Sequence, residues 1–354
     1  MSETVITSAA TSTGAPQPPR GIMSKFRLDG KIVAVTGGAR GLGYEMLRAF
    51  CEAGAAGAAI IDVLQEYGEE AIKEIHAEFG IPASFYRVDV RDHVAVEEAI
   101  NGIVRDFGGI DVLLCSAGVA DNLPAESYPA DRFKRVIDIN LNGVFFACQA
   151  AGNHMIASGK GGSIINIASM SGHIVNYPQP QSAYNASKAA VIHLSKSLAA
   201  EWAPHKVRVN TISPGYMNTV LNEKFDPLLK KAWRTRVSHA NLDDKMGLIL
   251  QLNTASFSHT CHLYERTPVG RMGHVNELSG AALYLACEAS AFCTGTDIII
   301  DGDATRFGTP PLSSLARLSS SAPRCPRARV SPPASSPASS SSSLSPPPRT
   351  PRLL

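Results

Sequence analysis

The chain has 354 residues, 44% hydrophobic and 18% charged, enough to bury a large core in one domain or two small ones. Its formal charge of +2 is set by the C-terminal end: residues 303–354 carry seven Arg, no Lys and one Asp, leaving 26 bases against 30 acids elsewhere. Such a balance offers no basic surface for nucleic acid or an anionic membrane, and no run of about 18 apolar residues suggests a membrane span.

Residues 1–24 are rich in Ser, Thr and Pro, with neither a secretory apolar stretch nor the Arg density of a transit peptide. They read as a flexible arm on a cytoplasmic protein. Seven scattered cysteines, never spaced as CxxC and mostly in apolar runs such as LLCSAG, point to reduced thiols in a reducing compartment.

From residue 25 to 302, short β-branched runs alternate with helical patterns. The runs are KIVAVT (31–36), GAAIID (57–62), SFYRVD (84–89), DVLLCS (111–116), SIINIA (163–168), VRVNTI (207–212) and TDIIID (296–301). Alternation over this length predicts one α/β domain, a Rossmann-type doubly wound parallel sheet of seven strands flanked by helices. Near-continuous apolar strands agree with burial on both sheet faces.

TGGARGLG (36–43) follows the first run and opens a helix. Gly37, Gly41 and Gly43 permit a tight turn and close backbone approach, and the helix N-terminus presents free amides to a pyrophosphate. Leu42 belongs to the same loop. Asp62 ends the second strand, where its carboxylate accepts from ribose hydroxyls and repels a 2′-phosphate, favouring NAD. Arg40 pulls toward NADP, because a guanidinium beside Gly41 can pair with that phosphate.

SAYNASKAAVIHLSKSLAAEW predicts one long helix with Tyr184 and Lys188 a turn apart on one face. A phenol is a poor base near neutral pH. A neighbouring ammonium, together with the charge of an oxidised nicotinamide, is expected to lower its pKa. Ser169, just after the fifth strand in ASMSG, can donate to a substrate oxygen; Ser171 is its rival. Asn140 in VIDINLNGVF falls mid-helix by pattern, where Asn is disfavoured, and reads as a water-holding link from Lys188 to solvent.

Together TGGARGLG, YNASK, the serine of SMSG, the asparagine of DINLNG and SPGYMNT resemble the short-chain dehydrogenase/reductase family over about residues 25–302. The resemblance implies Tyr184 as general acid/base, Lys188 as ribose ligand and modulator of Tyr184, Ser169 as carbonyl-positioning group, and Asn140 as part of a proton relay. It implies adenine contact at Asp89 and Val90, and nicotinamide contact at Pro214, Gly215, Met217 and Thr219. It also implies pairing of the last strand and helix across a subunit interface, hence a homotetramer or homodimer. Two departures stand out. Ser116 replaces a side-chain amide in CSAG, while Ala117 and Gly118 keep the close approach. The interval from Ser169 to Tyr184 is two residues longer than the family's; Ser171 restores the common interval, but S-x-x-G starts from Ser169, which is preferred.

SMSGHIVNYPQPQ borders the expected reacting carbon and offers His173, Asn176, Gln179 and Gln181. Neutral donors and acceptors suit a multiply hydroxylated substrate. The segment also resembles the sugar-alcohol branch of the family, the arabinitol, mannitol and sorbitol dehydrogenases and the xylulose and sorbose reductases. The expectation is therefore hydride transfer between a nicotinamide cofactor and a polyol/ketose pair. The alternatives are an NADPH-dependent carbonyl or acyl reductase, or a catalytically impaired product.

VSHANLDDKMGLILQLNTASFSHTCHLYE (237–265) interrupts the segment that the family uses as a flap over its substrate. His239, His259, Cys261 and His262 match no compact zinc spacing, so no metal is expected. Without these residues, KKAWRTR joins RTPVGRMG in a flap of ordinary length, and Val-Ser can be encoded as a splice donor; the stretch reads as a retained intron, with an irregular insertion that enlarges the substrate flap as the alternative. Residues 303–354, rich in Ser, Pro and Arg, have little to bury and are expected to be disordered.

Overall fold

The computed structural model describes residues 21–176, 179–219 and 267–305. Seven strands form one parallel sheet in the order β3-β2-β1-β4-β5-β6-β7. They are β1 Ile32–Thr36, β2 Gly57–Asp62, β3 Ala83–Arg87, β4 Val112–Cys115, β5 Gly162–Ile167, β6 Val207–Pro214 and β7 Asp297–Ile300. Each of the seven expected runs became a strand, with ends shifted by no more than two residues.

Alternate strand residues feed two cores. Val33, Val35, Ile60, Leu114 and Ile165 pack with α1 (Gly41–Glu52), α2 (Gln65–Phe79) and α7 (Ser279–Ala286). Ala34, Ile61, Leu113 and Ile164 pack with α3 (His93–Phe107), α5 (Gly143–Ala157) and α6 (Ser182–Trp202). Burial on both faces explains why the strands read as continuous apolar runs. Strand order reverses between β1 and β4, which leaves a crevice at their carboxyl ends, the place where open α/β sheets bind ligands.

Between α4 (Ala130–Ile137) and α5 the chain widens into a π-turn, Asp138–Asn142. Asn140 therefore sits on a π-turn and not in the expected regular helix. Such insertions free a backbone group and recur at functional sites.

Two boundaries move. A 3₁₀ turn, Ile22–Phe26, begins inside the segment read as an arm. At the other end the ordered frame runs past 302: the Asp301 carboxylate accepts from the Asp303 and Thr305 amides at 2.9 and 2.7 Å, and Ala304 is buried. The 237–265 stretch and residues 306–354 lie outside the described residues. Cys51, Cys115, Cys148, Cys287 and Cys293 are free thiols, while Cys261 and Cys325 lie outside. Among the described residues no helix is long and apolar enough to cross a membrane.

Candidate active site

The crevice holds two cavities, of about 380 and 130 Å³, that share Leu42, Ser116, Gly118 and Thr219 in their walls. They form one cleft running from Asp62 to Tyr184.

At the Asp62 end, the loop after β1 is pressed against the loop after β4. A Cβ on Gly37 would lie 2.5 Å from the Ala117 nitrogen, and one on Gly43 would lie 2.3 Å from the Gly37 carbonyl oxygen. Gly37 and Gly41 also adopt positive φ, +70° and +63°, which glycine tolerates without strain. Gly37 and Gly41 line the cleft together with Arg40, Asp62, Asp89, Val90 and Ala117. Gly43 does not; it lies behind the loop, and its role is to let Gly37 settle.

The Asp62 carboxylate accepts from the amides of Ala39 at 3.2 Å and Leu64 at 3.1 Å, which ties it to the glycine loop. Arg40 stands at the N-cap of α1 with its guanidinium 5.4 Å above the Tyr67 ring. Arg91 grips Asp89 through Nη2 at 2.5 Å and holds that carboxyl below the usual range. A glycine cradle, a helix N-terminus and a carboxylate at the strand tip fit a dinucleotide.

The smaller cavity is lined by Ser169, Ser171, Tyr184 and Lys188, with Pro214, Gly215, Met217 and Thr219 on the opposite wall. Gly215 abuts the chain just after β7 so closely that a Cβ would lie 2.6 Å from the Asp301 Cα. Tyr184 and Lys188 lie one turn apart on α6, as their spacing predicts. Lys188 is buried and donates from Nζ to the Ile167 carbonyl at 2.7 Å. Burial brings its pKa down to about 8.

Burial also pushes the Tyr184 hydroxyl above its ordinary value, with a hydrogen bond to Ser169 acting in the opposite direction. The expected lowering belongs to Lys188 acting together with an oxidised nicotinamide; in the protein alone desolvation is the larger influence on the phenol. The sequence gives no measure of how deeply the phenol is buried.

The two candidate serines differ in what they already hold. Ser171 donates to Asn176 Oδ1 at 2.7 Å and accepts from Gln181 Nε2 at 3.2 Å. Ser169 Oγ accepts from the Ser171 amide at 3.1 Å and faces Tyr184. Asn140 is fully buried; its amide bonds the Val119 backbone at 2.9 Å in both directions and donates to Ser187 Oγ at 3.0 Å. Lys188 Nζ is nearby, since a Cβ on Gly118 would lie 3.5 Å from Asn140 Oδ1 and 3.6 Å from Nζ.

Asn176 and Gln181 line the smaller cavity, with Gln179 beside them. His173 does not. Its Nε2 donates to Asp297 Oδ2 at 2.6 Å, because the turn at Met170–Gly172 directs it toward β7 and away from the cleft. Tyr216 and Asn122 also line the cavity, and neither was singled out in the sequence. Tyr216 lies inside SPGYMNT, where its motif could have flagged it. Asn122 sits in an irregular loop that carries no signal, and its buried Oδ1 has no hydrogen-bond partner among the described residues.

A family model described as short chain dehydrogenase matches residues 31–228. Sorbose reductase of Schizosaccharomyces pombe is 39% identical over 79% of this chain and 97% of its own length. An NADP-dependent mannitol dehydrogenase of Hypocrea jecorina is 37% identical over 82% and 99%. Among solved structures, a gluconate 5-dehydrogenase from Burkholderia cenocepacia in complex with NADP and tartrate superposes with a TM-score of 0.68 at 34% identity, covering 81% of this chain and 99% of that one. An NAD+-bound xylitol dehydrogenase gives a TM-score of 0.66 at 32% identity, covering 78% and 99%.

Proposed function

The chain belongs to the short-chain dehydrogenase family, and from that premise we propose that it interconverts a polyol and a ketose with NAD as the preferred dinucleotide. The bound nicotinamide ring supplies the hydride acceptor for the alcohol, or the donor for the ketone.

The protein's own part is positioning and proton movement. Tyr184 Oη takes the proton of the alcohol, or returns it to the ketone. Ser169, whose oxygen accepts one amide and whose hydroxyl faces Tyr184, can turn its proton to the substrate oxygen. Lys188, held by the Ile167 carbonyl, orients the ribose and supplies positive charge beside the phenol. Asn140, on its π-turn, links this buried lysine to solvent through water. The glycine loop with Leu42, Asp62, Asp89, Val90 and the 116–118 segment would hold the adenosine and pyrophosphate, and Pro214 to Thr219 the nicotinamide amide.

The polyol reading rests on one observation, the polar wall of the smaller cavity. Ser171, Asn176, Tyr216 and Gln179 are joined in sequence by bonds of 2.7, 3.1 and 3.1 Å, and Asn122 adds a buried oxygen without a hydrogen-bond partner among the described residues. A hydroxyl-bearing substrate can exchange hydrogen bonds with such a chain and pair with the Asn122 oxygen, whereas an apolar one offers these groups nothing. The names of the sorbose, mannitol and xylitol relatives agree with this class. The test is cofactor reduction with a panel of pentitols and hexitols beside apolar secondary alcohols. A higher kcat/KM on the apolar set sinks the reading.

NADP is the second reading for the cofactor, favoured by Arg40 at the cleft wall and by the NADP-dependent relative. Asp62 opposes it, since a carboxylate at the strand tip repels a 2′-phosphate. We also infer a homodimer or homotetramer, supported by Phe292 and Ile299 exposed at and beside the edge strand β7 and tested by light scattering on the eluted protein. A cytoplasmic location is supported by the five free thiols.

A further inference from the structure

We propose that His173 is a positioning residue, whose pair with Asp297 fixes the segment carrying Ser169, Ser171 and Asn176 against Tyr184. Asp297 opens β7, and its side chain is only 9% exposed. Its carboxylate collects donors from three side chains: Thr211 Oγ1 at 2.6 Å, Ser213 Oγ at 2.9 Å to each oxygen, and His173 Nε2 at 2.6 Å. Thr211 and Ser213 lie on β6, which is paired in register with β7. The carboxylate is thus fixed to the sheet, and among the described residues His173 is its one partner from the substrate side.

His173 directly follows the 3₁₀ turn Met170–Gly172. The turn is tied internally by Gly172 N–H to the Ser169 carbonyl and His173 N–H to the Met170 carbonyl, both at 2.9 Å. Its other flank rests on α6: a Cβ on Gly172 would lie 3.0 Å from the Lys188 carbonyl carbon and from the Ala189 nitrogen. The turn is therefore wedged between the helix bearing Tyr184 and Lys188 and the carboxylate of β7. Ser169 sits at one end and His173 at the other. Releasing His173 lets the whole turn shift, and Ser169 with it, while the glycine loop at the far end of the cleft is untouched.

The inference requires hydride transfer alone, not the polyol reading. If the wild type turns over no polyol, that reading fails by itself, and the comparison below uses any secondary alcohol or ketone that the wild type accepts. The full chain is compared as wild type, His173→Ala, Asp297→Asn and the double variant. The single variants are expected to lower kcat about ten- to hundredfold, the scale on which small misplacements of catalytic groups act. Dinucleotide affinity, read by fluorescence, is expected to stay within about twofold. The double variant is expected to be no worse than the poorer single variant, and His173→Gln, which keeps a donor, to recover part of kcat. Unchanged kcat, loss of dinucleotide affinity in step with kcat, or additive losses would each overturn the proposal. Amide exchange in the unliganded protein gives a readout without turnover. Exchange at Gly172 and His173 is expected to rise about tenfold in Asp297→Asn while β4 amides stay protected; unchanged exchange at the turn overturns the proposal as well.

Discussion

Lys188 places its Nζ 5.7 Å from the centre of the Tyr184 ring, and its resolved hydrogen bond goes to the Ile167 carbonyl rather than to the phenol. The two side chains face one cleft, but burial acts on them in opposite directions, lowering the lysine pKa and raising that of the tyrosine. Both changes disfavour charge, but a pKa of about 8 leaves Lys188 protonated at neutral pH, so the unliganded site holds a buried ammonium beside a neutral phenol.

A stability consequence follows for Lys188. Its pKa falls from 10.5 unfolded to about 8 folded, so between these values the unfolded chain binds more protons and stability rises with pH. Below pH 8 the full cost of burying the charge is present, on the order of 3 kcal/mol for a shift of this size. Lys188→Met is expected to be more stable than wild type at pH 7, with the gap closing as pH rises from 8 to 10.5. Urea melts at several pH values measure it; a gap that stays constant with pH contradicts the assignment.

Turnover should depend on pH with opposite sign in the two directions. Alcohol oxidation needs Tyr184 as phenolate, and the protein alone holds its pKa above the ordinary phenol value. The oxidative rate is therefore expected to climb with pH, and the reductive rate, which needs the protonated phenol, to fall. Tyr184→Phe removes the proton carrier and is expected to lower kcat by at least about a hundredfold in both directions. Initial rates across pH 6 to 10 and the Phe variant decide the point.

The two serines are separable by kinetics. Ser169→Ala removes the hydroxyl beside Tyr184 and is expected to cut kcat about a hundredfold. Ser171→Ala leaves Asn176 Oδ1 and Gln181 Nε2 without their shared partner, and is expected to raise substrate KM severalfold with a smaller effect on kcat. The reverse pattern would exchange their roles.

How much of this was legible in the sequence depends on whether the signal is local. The glycine loop, Asp62 and the Tyr184–Lys188 spacing are read within one turn or one strand, and the structure brings all of them to one cleft. His173 misled because loop composition says which polar groups are present but not where they point. Asp297, its partner, lies 124 residues away in sequence. The π-turn at Asn140 was hidden for a similar reason, because its hydrophobic pattern is that of an ordinary helix. The raised pKa of Tyr184 depends on depth of burial, which only the assembled sheet and α6 determine.

Cofactor choice turns on Asp62 and Arg40, which share the wall of the larger cavity. Asp62→Ser removes the charge that opposes a 2′-phosphate and is expected to raise the NADP-to-NAD ratio of kcat/KM at least tenfold, about 1.4 kcal/mol. The same variant loses the carboxylate bonds to Ala39 and Leu64, so some loss with NAD is expected too. Arg40→Ala should act in the opposite sense, by removing a partner for the phosphate. If wild type already prefers NADP and Asp62→Ser leaves the ratio unchanged, Arg40 controls the choice.

The last prediction concerns 237–265. The described segments on either side of this region already meet: Met217 bridges Gly273 in parallel, with Gly273 N–H donating to the Tyr216 carbonyl at 2.9 Å and Asn218 N–H to the Gly273 carbonyl at 2.8 Å. Because the flanks are joined at this point, deleting 29 intervening residues leaves the sheet register and the Pro214–Thr219 wall where they are, and a shorter loop has less closure entropy to overcome. We propose that the protein lacking 237–265 folds with at least the thermal stability of the full chain and has equal or higher kcat/KM. Side-by-side melting and kinetics of the two forms, with sequencing of the transcript across Trp233 to Arg271, test this. If the deletion abolishes turnover while dinucleotide binding persists, the stretch is a working part of the substrate flap, and the retained-intron reading fails.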